Sequence, residues 1–197
     1  MLEQQLTWAQ ESELPMGRYR SNGASMTMTF PSESCPLIWE SCELIAQFVS
    51  TYTGLFFETN LPENYLDRAE VEDAINYILI ELIENALKFN IGGDIDIHLE
   101  LYKGELRFHV CNQIWPHDMP KLEAVFQELI TADPGELLVR RIEENAAQPE
   151  LYRSGLGFLT IMNDYGASLG WSFDRATHPD YVRLTIMTRF PVYRSEA

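Results

Sequence analysis

The segment ELIENALKFN places three polar side chains of different chemistry on one face of an otherwise apolar helix. Glu81, Asn85 and Lys88 are spaced i, i+4 and i+7, so they project from the same side. Burying an unpaired carboxylate or amide costs several kcal/mol, so such residues need partners, water or a function. A carboxylate can activate a hydroxyl, an amide oxygen can ligate Mg²⁺, and an ammonium can meet phosphate oxygens. The spacing therefore indicates a site for a metal–phosphate group.

An ordinary structural interpretation of the same helix stays open. Glu84 and Lys88 are also four residues apart, which is the spacing of a common helical ion pair. Asn85 would then cap the helix or bond a neighbouring group. The helix alone does not distinguish this interpretation from a binding site.

A second segment, RSGLGFLTIMNDYG, places two glycines directly before an apolar helix. Gly155 and Gly157 would let backbone N–H groups approach a phosphate, and the start of the helix adds partial positive charge. A simple tight turn capped by Ser154 is the alternative. Together with the polar helix, the glycine turn predicts a phosphate-binding site built from two distant parts of the chain.

The elements that must position these residues alternate between helix and strand patterns. We predict strands in ASMTMTF, in a hairpin around Lys103-Gly104 and in two closing segments near 168–173 and 181–190. Helices are predicted at about 35–57, where Gly54 could end the helix early, and at 67–89, 120–131 and 134–146, with one more after SGLG. This order predicts an α+β sandwich with a mainly antiparallel sheet.

Composition limits the classes of partner. The chain has 30 acidic and 14 basic residues among 197, for a net charge of −16, which disfavours nucleic acid and anionic membrane surfaces. No signal peptide or membrane span is predicted, and Cys35, Cys42 and Cys111 fit free thiols in a reducing compartment. We therefore expect a cytoplasmic protein.

The histidines lack metal-ligand spacing, and His98 and His109 are expected on an exposed or pocket-lining strand face.

These motifs resemble the ATP-binding domain of the GHKL superfamily, which includes gyrase, heat-shock chaperones, histidine kinases and anti-sigma-factor serine kinases. Glu81, Asn85, Ala86 and Lys88 match its N box, E-x-x-x-N-A-x-K. The G2 box, a GxG before an apolar helix, is matched by the segment from Gly155 through Leu156 and Gly157 to Phe158, and YVRLTIMTRFP is similar to the family's last strand. The resemblance covers residues 24–192, which leaves 1–23 as an N-terminal arm and 193–197 as a tail.

The resemblance implies a two-layer sandwich whose mixed, mostly antiparallel sheet is covered by helices on one face. It implies that Glu81 acts as general base, that Asn85 holds Mg²⁺, and that Lys88, Gly155, Leu156 and Gly157 bind the phosphates of ATP or ADP. Within the superfamily the chain looks most similar to small stand-alone regulators of the SiaB type. These pair with a STAS-like protein, so a small protein partner is expected, and a homodimer is also considered.

One motif departs from the family pattern. Where relatives have D-x-G-x-G, this chain has V-C-N-Q-I-W-P, with Asn112 at the position of the adenine-binding aspartate. The amide oxygen of Asn112 can still accept a hydrogen bond from adenine, but Ile114-Trp115-Pro116 cannot act as a glycine hinge. Three functions therefore remain: a serine/threonine kinase, a sensor binding ADP or an ADP-containing ligand such as FAD, and a module that only docks other proteins.

Overall fold

A single antiparallel sheet forms the base of the molecule. The computed structural model describes residues 25–57, 65–102, 104–147, 156–175 and 180–193. Among these residues the sheet has five strands, in the spatial order β1-β2-β3-β5-β4, and every neighbouring pair is antiparallel. The strands are β1 (Ser25–Phe30), β2 (Ile95–Tyr102), β3 (Glu105–Ile114), β4 (Ser168–Asp174) and β5 (Val182–Pro191).

Five α-helices in the described residues form the second layer. They are α1 (Cys35–Gly54), α2 (Arg68–Phe89), α3 (Met119–Thr131), α4 (Pro134–Ala147) and α5 (Leu156–Asp164). Short 3₁₀ turns precede and follow α1, at Ser32–Ser34 and Leu55–Phe57. The predicted α+β two-layer sandwich with helices on one face of the sheet is confirmed.

The hairpin of β2 and β3 carries the centre of the core. Leu99 lies opposite Phe108, and Ile97 lies opposite Val110, as the alternating pattern predicts. These four side chains are buried against the helices. Because side chains alternate along a strand, the residues between them face the other side of the sheet.

The helix that carries the predicted polar residues has a well-defined start. The Asp67 side chain accepts a hydrogen bond from the backbone N–H of Glu70, and the Glu70 carboxylate accepts one from the N–H of Asp67. This capping box satisfies N–H groups that have no partner within the helix. The buried face of α2 then runs from Val71 to Ala86 and fixes the rotation of the helix about its axis.

The helix α1 has apolar residues on two sides. Ile38 and Val49 are buried, whereas Leu37, Leu44 and Phe48 are exposed. The pattern correctly predicts the helix, which ends at Gly54, the earlier of the two predicted ends, and is followed by a 3₁₀ turn to Phe57. Helical spacing alone did not show that only part of the apolar set enters the core.

The sequence predicts an exposed or pocket-lining position for the two strand histidines. They lie on the sheet face opposite the helices, and neither is exposed. His98 is buried and His109 is partly buried, and their ring centroids are 5.9 Å apart. The Nδ1 atom of His98 lies 2.8 Å from the hydroxyl of Thr27. Neighbouring long side chains on a sheet shield one another, so alternation with apolar residues does not by itself imply exposure.

The two ends of the chain lie largely outside the described residues. The predicted arm, residues 1–23, lies outside the described residues, and of the predicted tail only Tyr193 is described, in a bridge with Tyr65. The cysteines Cys42 and Cys111 are free and buried. In the described ranges no helix is long and apolar enough to cross a membrane, and no three His, Cys, Asp or Glu side chains cluster as a metal site.

Candidate functional site

The two predicted motifs meet in the structure. Glu81 on α2 lies directly against Gly157 at the start of α5, so that a β-carbon on Gly157 would overlap the Oε2 atom of Glu81. Residues far apart in the sequence therefore form one site. The carboxylate sits at the N-terminal end of α5.

The glycine motif has a different local structure from the predicted turn. The helix α5 already begins at Leu156, so Gly157 is its second residue and not part of a preceding turn. The described glycines with positive φ are Gly92, Gly104 and Gly166. Gly157 is therefore required for the close approach of Glu81 and not for backbone conformation. Gly155 and Ser154 lie outside the described residues.

The Glu81 carboxylate is in an environment that disfavours its charge. Burial raises the pKa of Glu81, the nearby Glu84 carboxylate raises that pKa further, and a hydrogen bond from Tyr77 lowers it. Burial likewise raises the pKa of Tyr77, whose hydroxyl also bonds Thr160. A carboxylate with a raised pKa is a stronger base once it is ionised, which suits proton abstraction near neutral pH.

Asn85 is oriented by the helix that carries it. Its Nδ2 donates a hydrogen bond to the backbone carbonyl of Glu81, with a distance of 2.6 Å. Among the described residues its Oδ1 receives no hydrogen bond, so this oxygen remains available as a ligand. Mg²⁺ prefers such oxygen ligands and completes its shell with water and phosphate oxygens. Asn85 therefore fits a metal held jointly with a nucleotide.

Lys88 is exposed, and its ammonium lies 5.6 Å from the ring centroid of Phe89. Within the described ranges it forms no ion pair with Glu84, so the alternative of a simple helical ion pair is not what the structure contains. Lys88 lies about 10 Å along the helix from Glu81, at ~1.5 Å per residue. Its long side chain must extend along the helix to reach a phosphate at Gly157.

Asn112 is buried on β3, beside the C-terminal end of α2. Its Nδ2 atom is inaccessible to solvent and has no hydrogen-bond partner among the described residues. Leaving a buried donor unpaired costs about 1–3 kcal/mol. Asn112 also lines a cleft of about 430 Å³.

The walls of the cleft come from the loop after α2 and from three strands. They are Gly92, Gly93, Asp94, Asp96, Asn112, Gln113, Tyr181 and Arg183. The Arg183 guanidinium bonds the carboxylate of Asp96 and the sulfur of Cys111. A hollow of about 530 Å³ along α4 has none of the predicted site residues in its wall.

The end of α2 is tied to β3 beside the cleft. The side chain of Asn90 donates to the carbonyl of Gly93, at 2.6 Å, and accepts from the N–H of Gln113, at 3.2 Å. β3 continues as regular strand to Ile114. Trp115 follows, 47% exposed and stacked on His117, with ring centroids 6.1 Å apart.

Sequence reasoning missed three residues that shape the site. Tyr77 lies one helical turn before Glu81, so the i, i+4 spacing could have identified it. Asn90 directly follows the predicted motif and could have been read as a helix-end residue. Arg183 carried no local signal, since its contact with Asp96 depends on the pairing of distant strands.

The arrangement forms a polar edge along α2. Glu81 and Gly157 lie at one end of this edge. Asn90, beside Asn112 of β3, lies at the other end, about 14 Å along the helix from Glu81 at ~1.5 Å per residue. An extended nucleoside phosphate could reach from one end to the other. Its phosphates would lie at the start of α5 and its base near Asn112.

One solved structure has a related architecture. A chain in the SiaB–SiaC complex from Pseudomonas aeruginosa matches this chain with a TM-score of 0.51 and 14% sequence identity. The match covers 84% of this chain and 89% of that chain. The two chains share a fold. The sequence matches no family model and no curated protein with which it was compared.

Proposed function

We propose that this chain is a signalling regulator whose GHKL-type site binds ATP with Mg²⁺ and phosphorylates a serine or threonine of a small protein partner. The observation that carries the proposal is the contact between Glu81 and Gly157. A base, a metal ligand and the N-terminus of a helix converge there. Phosphoryl transfer needs mainly positioning and charge neutralisation, which this set of groups can supply.

Each residue has a defined role in the proposed reaction. Glu81 accepts the proton of the partner's hydroxyl while the oxygen of that hydroxyl bonds the γ-phosphorus and ADP leaves. Asn85 Oδ1 would ligate Mg²⁺, which offsets the negative charge of the phosphates. The backbone at Leu156 and Gly157 would hold phosphate oxygens, and Lys88 would extend toward them. Asn112 would meet the base.

The shared fold supports a protein partner. A solved structure with a related architecture is a complex named for two proteins, SiaB and SiaC. By analogy, we propose that the partner here is a small, STAS-like regulatory protein. Cytoplasmic localisation is part of the same proposal, because a kinase of this type needs the ATP of that compartment.

Nucleotide binding is tested first, by thermal unfolding of the full chain with ATP or ADP, with and without Mg²⁺. Saturation at 100 times the dissociation constant stabilises the native state by about 2.7 kcal/mol. Asn85→Ala should remove the Mg²⁺ dependence, whereas the exposed Glu84→Gln should not. If ATP, ADP and FAD all leave the unfolding temperature unchanged, the nucleotide site is disproved and a docking module remains.

Catalysis is tested with a purified STAS-like partner and radiolabelled ATP. We expect Glu81→Gln to abolish labelling of the partner and to leave ATP binding within a few fold. Glu84→Gln is the matched control, since it removes a neighbouring carboxylate that is exposed. Equal labelling by the wild type and by Glu81→Gln would refute Glu81 as the base.

A second candidate is a sensor that binds FAD through its ADP half. The observation favouring it is the continuous strand to Ile114 followed by the exposed Trp115–His117 stack, in place of a glycine hinge. An aromatic pair at this position could stack a flat heterocycle. An absorbance spectrum of the purified protein, with mass identification of released ligand, separates the candidates. A yellow protein that releases FAD replaces the kinase proposal.

A further inference from the structure

The outward side of α1 carries a continuous row of large apolar side chains. Successive members are spaced by seven, four, four and three positions, so they lie along one side of the helix and its following turn. We call this row the apolar stripe. It consists of Leu37, Leu44, Phe48, Tyr52 and Leu55. Phe48 and Tyr52 stack with ring centroids 6.3 Å apart.

The stripe is not part of the core. Leu44 is 68% exposed and Phe48 is 61% exposed, while Ile38 and Val49 on the inner side of α1 are buried. With the adjacent Phe56, the patch consists of six large apolar side chains that are each 44–68% exposed. Apolar patches of this size mark interaction sites.

We propose that the apolar stripe binds the same stripe of a second copy of this chain, with the two α1 helices antiparallel about a two-fold axis near residue 46. In this register Leu44 packs on Phe48 of the second copy, and Leu37 packs on Leu55 of the second copy. A two-fold interface requires such self-complementarity, because each contact occurs twice.

The charges on α1 favour this occupant and this orientation. The helix contains no Lys or Arg, and its only charged residues are Glu40 and Glu43. Antiparallel pairing places Glu40 opposite Tyr52 of the second copy, whose hydroxyl can donate to the carboxylate. The two Glu40 residues are then about 18 Å apart along the axis, at ~1.5 Å per residue. That separation exceeds the Debye length of about 8 Å at physiological salt.

Parallel pairing is disfavoured by the same charges. It would bring Glu40 against Glu40 of the second copy, and like charges in contact destabilise an interface. Two copies of a chain with net charge −16 repel each other over most surfaces. The uncharged stripe is a surface on which they can meet. This proposal does not depend on nucleotide binding.

Sedimentation velocity of the full chain over a range of concentrations tests the dimer. We expect a species of twice 22.7 kDa that Leu44→Glu converts to the monomer, with at least a 100-fold loss of affinity. Trp39→Glu is the matched control, since Trp39 is 56% exposed on another side of the same helix. A wild type that stays monomeric at high micromolar concentration, or a dimer that persists in Leu44→Glu, would overturn the proposal.

Disulfide trapping tests the register, in a background with Cys35→Ser. We expect Leu44→Cys and Phe48→Cys chains, mixed and oxidised, to cross-link to each other, because the register brings their α-carbons close enough for a disulfide. Mixed Leu37→Cys and Phe48→Cys chains should not cross-link. Preferential cross-linking of the second pair would refute the antiparallel register. Circular dichroism confirms that each variant is folded.

Discussion

Gly157 and the carboxylate of Glu81 are in direct contact, and the space for that contact exists only because residue 157 has no side chain. The carboxylate belongs to a flexible side chain, whereas the backbone of α5 is held by its buried apolar residues. A larger residue at position 157 therefore moves Glu81 before it moves the helix. The position of the carboxylate depends on this one glycine.

Gly157→Ala should reduce phosphotransfer by about 100-fold, because displacing a catalytic group by about 1 Å has an effect of that order. The free energy of unfolding should change by less than about 1 kcal/mol, since Ala is a good helix former. Rates and urea unfolding check both parts. The control is Gly135→Ala, at the second position of α4. Equal loss in both variants would show that the effect is not specific to Glu81.

The raised pKa of Glu81 predicts how its removal depends on pH. A carboxyl group whose pKa is higher in the folded state favours folding most below its unfolded pKa and loses that contribution as pH rises through the folded pKa. Glu81→Gln should therefore become more stable than the wild type as pH rises above that range. Thermal unfolding at several pH values measures the difference. A difference in the free energy of unfolding that stays constant with pH would contradict a perturbed Glu81.

Replacing Asn112 should separate stability from binding. Asn112→Leu removes a buried donor that lacks a partner in the described residues, so the ligand-free protein should be as stable as the wild type or more stable. Ligand affinity should fall by about 10-fold or more, because the hydrogen bond to the base is lost. Thermal unfolding with and without ligand checks both effects. Unchanged affinity would show that the base does not reach Asn112.

Protonation of His109 should lower the free energy of unfolding in mild acid. Burial, together with smaller effects of the nearby His98, Arg107 and Arg189, lowers the pKa of His109 to about 4. The ordinary histidine pKa is about 6.5, so the stability present above that pH is lost as pH falls toward 4, by about 3 kcal/mol. His109→Gln should lose less stability over this range, as urea unfolding can measure. The exposed His117→Gln should behave like the wild type.

The contribution of the capping box at the start of α2 can be measured by removing its side-chain acceptor. Asp67→Ala removes the acceptor of the capping box and should destabilise the protein by about 1 kcal/mol. Urea unfolding measures this loss. Asp73→Ala, an exposed change within the same helix, should have a smaller effect. A loss as large for Asp73→Ala would show that the cap is not the cause.

Local sequence patterns predicted the helices and strands, whereas the arrangement of the site depends on long-range contacts. The extent of α2 and the β2–β3 hairpin followed from periodicity, because their apolar spacing and turn residues act over a few positions. The contact between Glu81 and Gly157 and the burial of Asn112 depend on how distant elements pack, which no local spacing encodes. The same limit explains α1, where spacing identified a helix but not which apolar side would stay exposed.

The order of strands has a consequence for how the site assembles during folding. Ile114 pairs with Val182, so joining β3 to β5 closes a loop that contains α3, α4, α5 and β4. Contacts of such long range form late, because the entropy of loop closure opposes them. We therefore expect Glu81 to meet Gly157 after the folding transition state. A ligand that spans both residues should slow unfolding and leave the folding rate nearly unchanged.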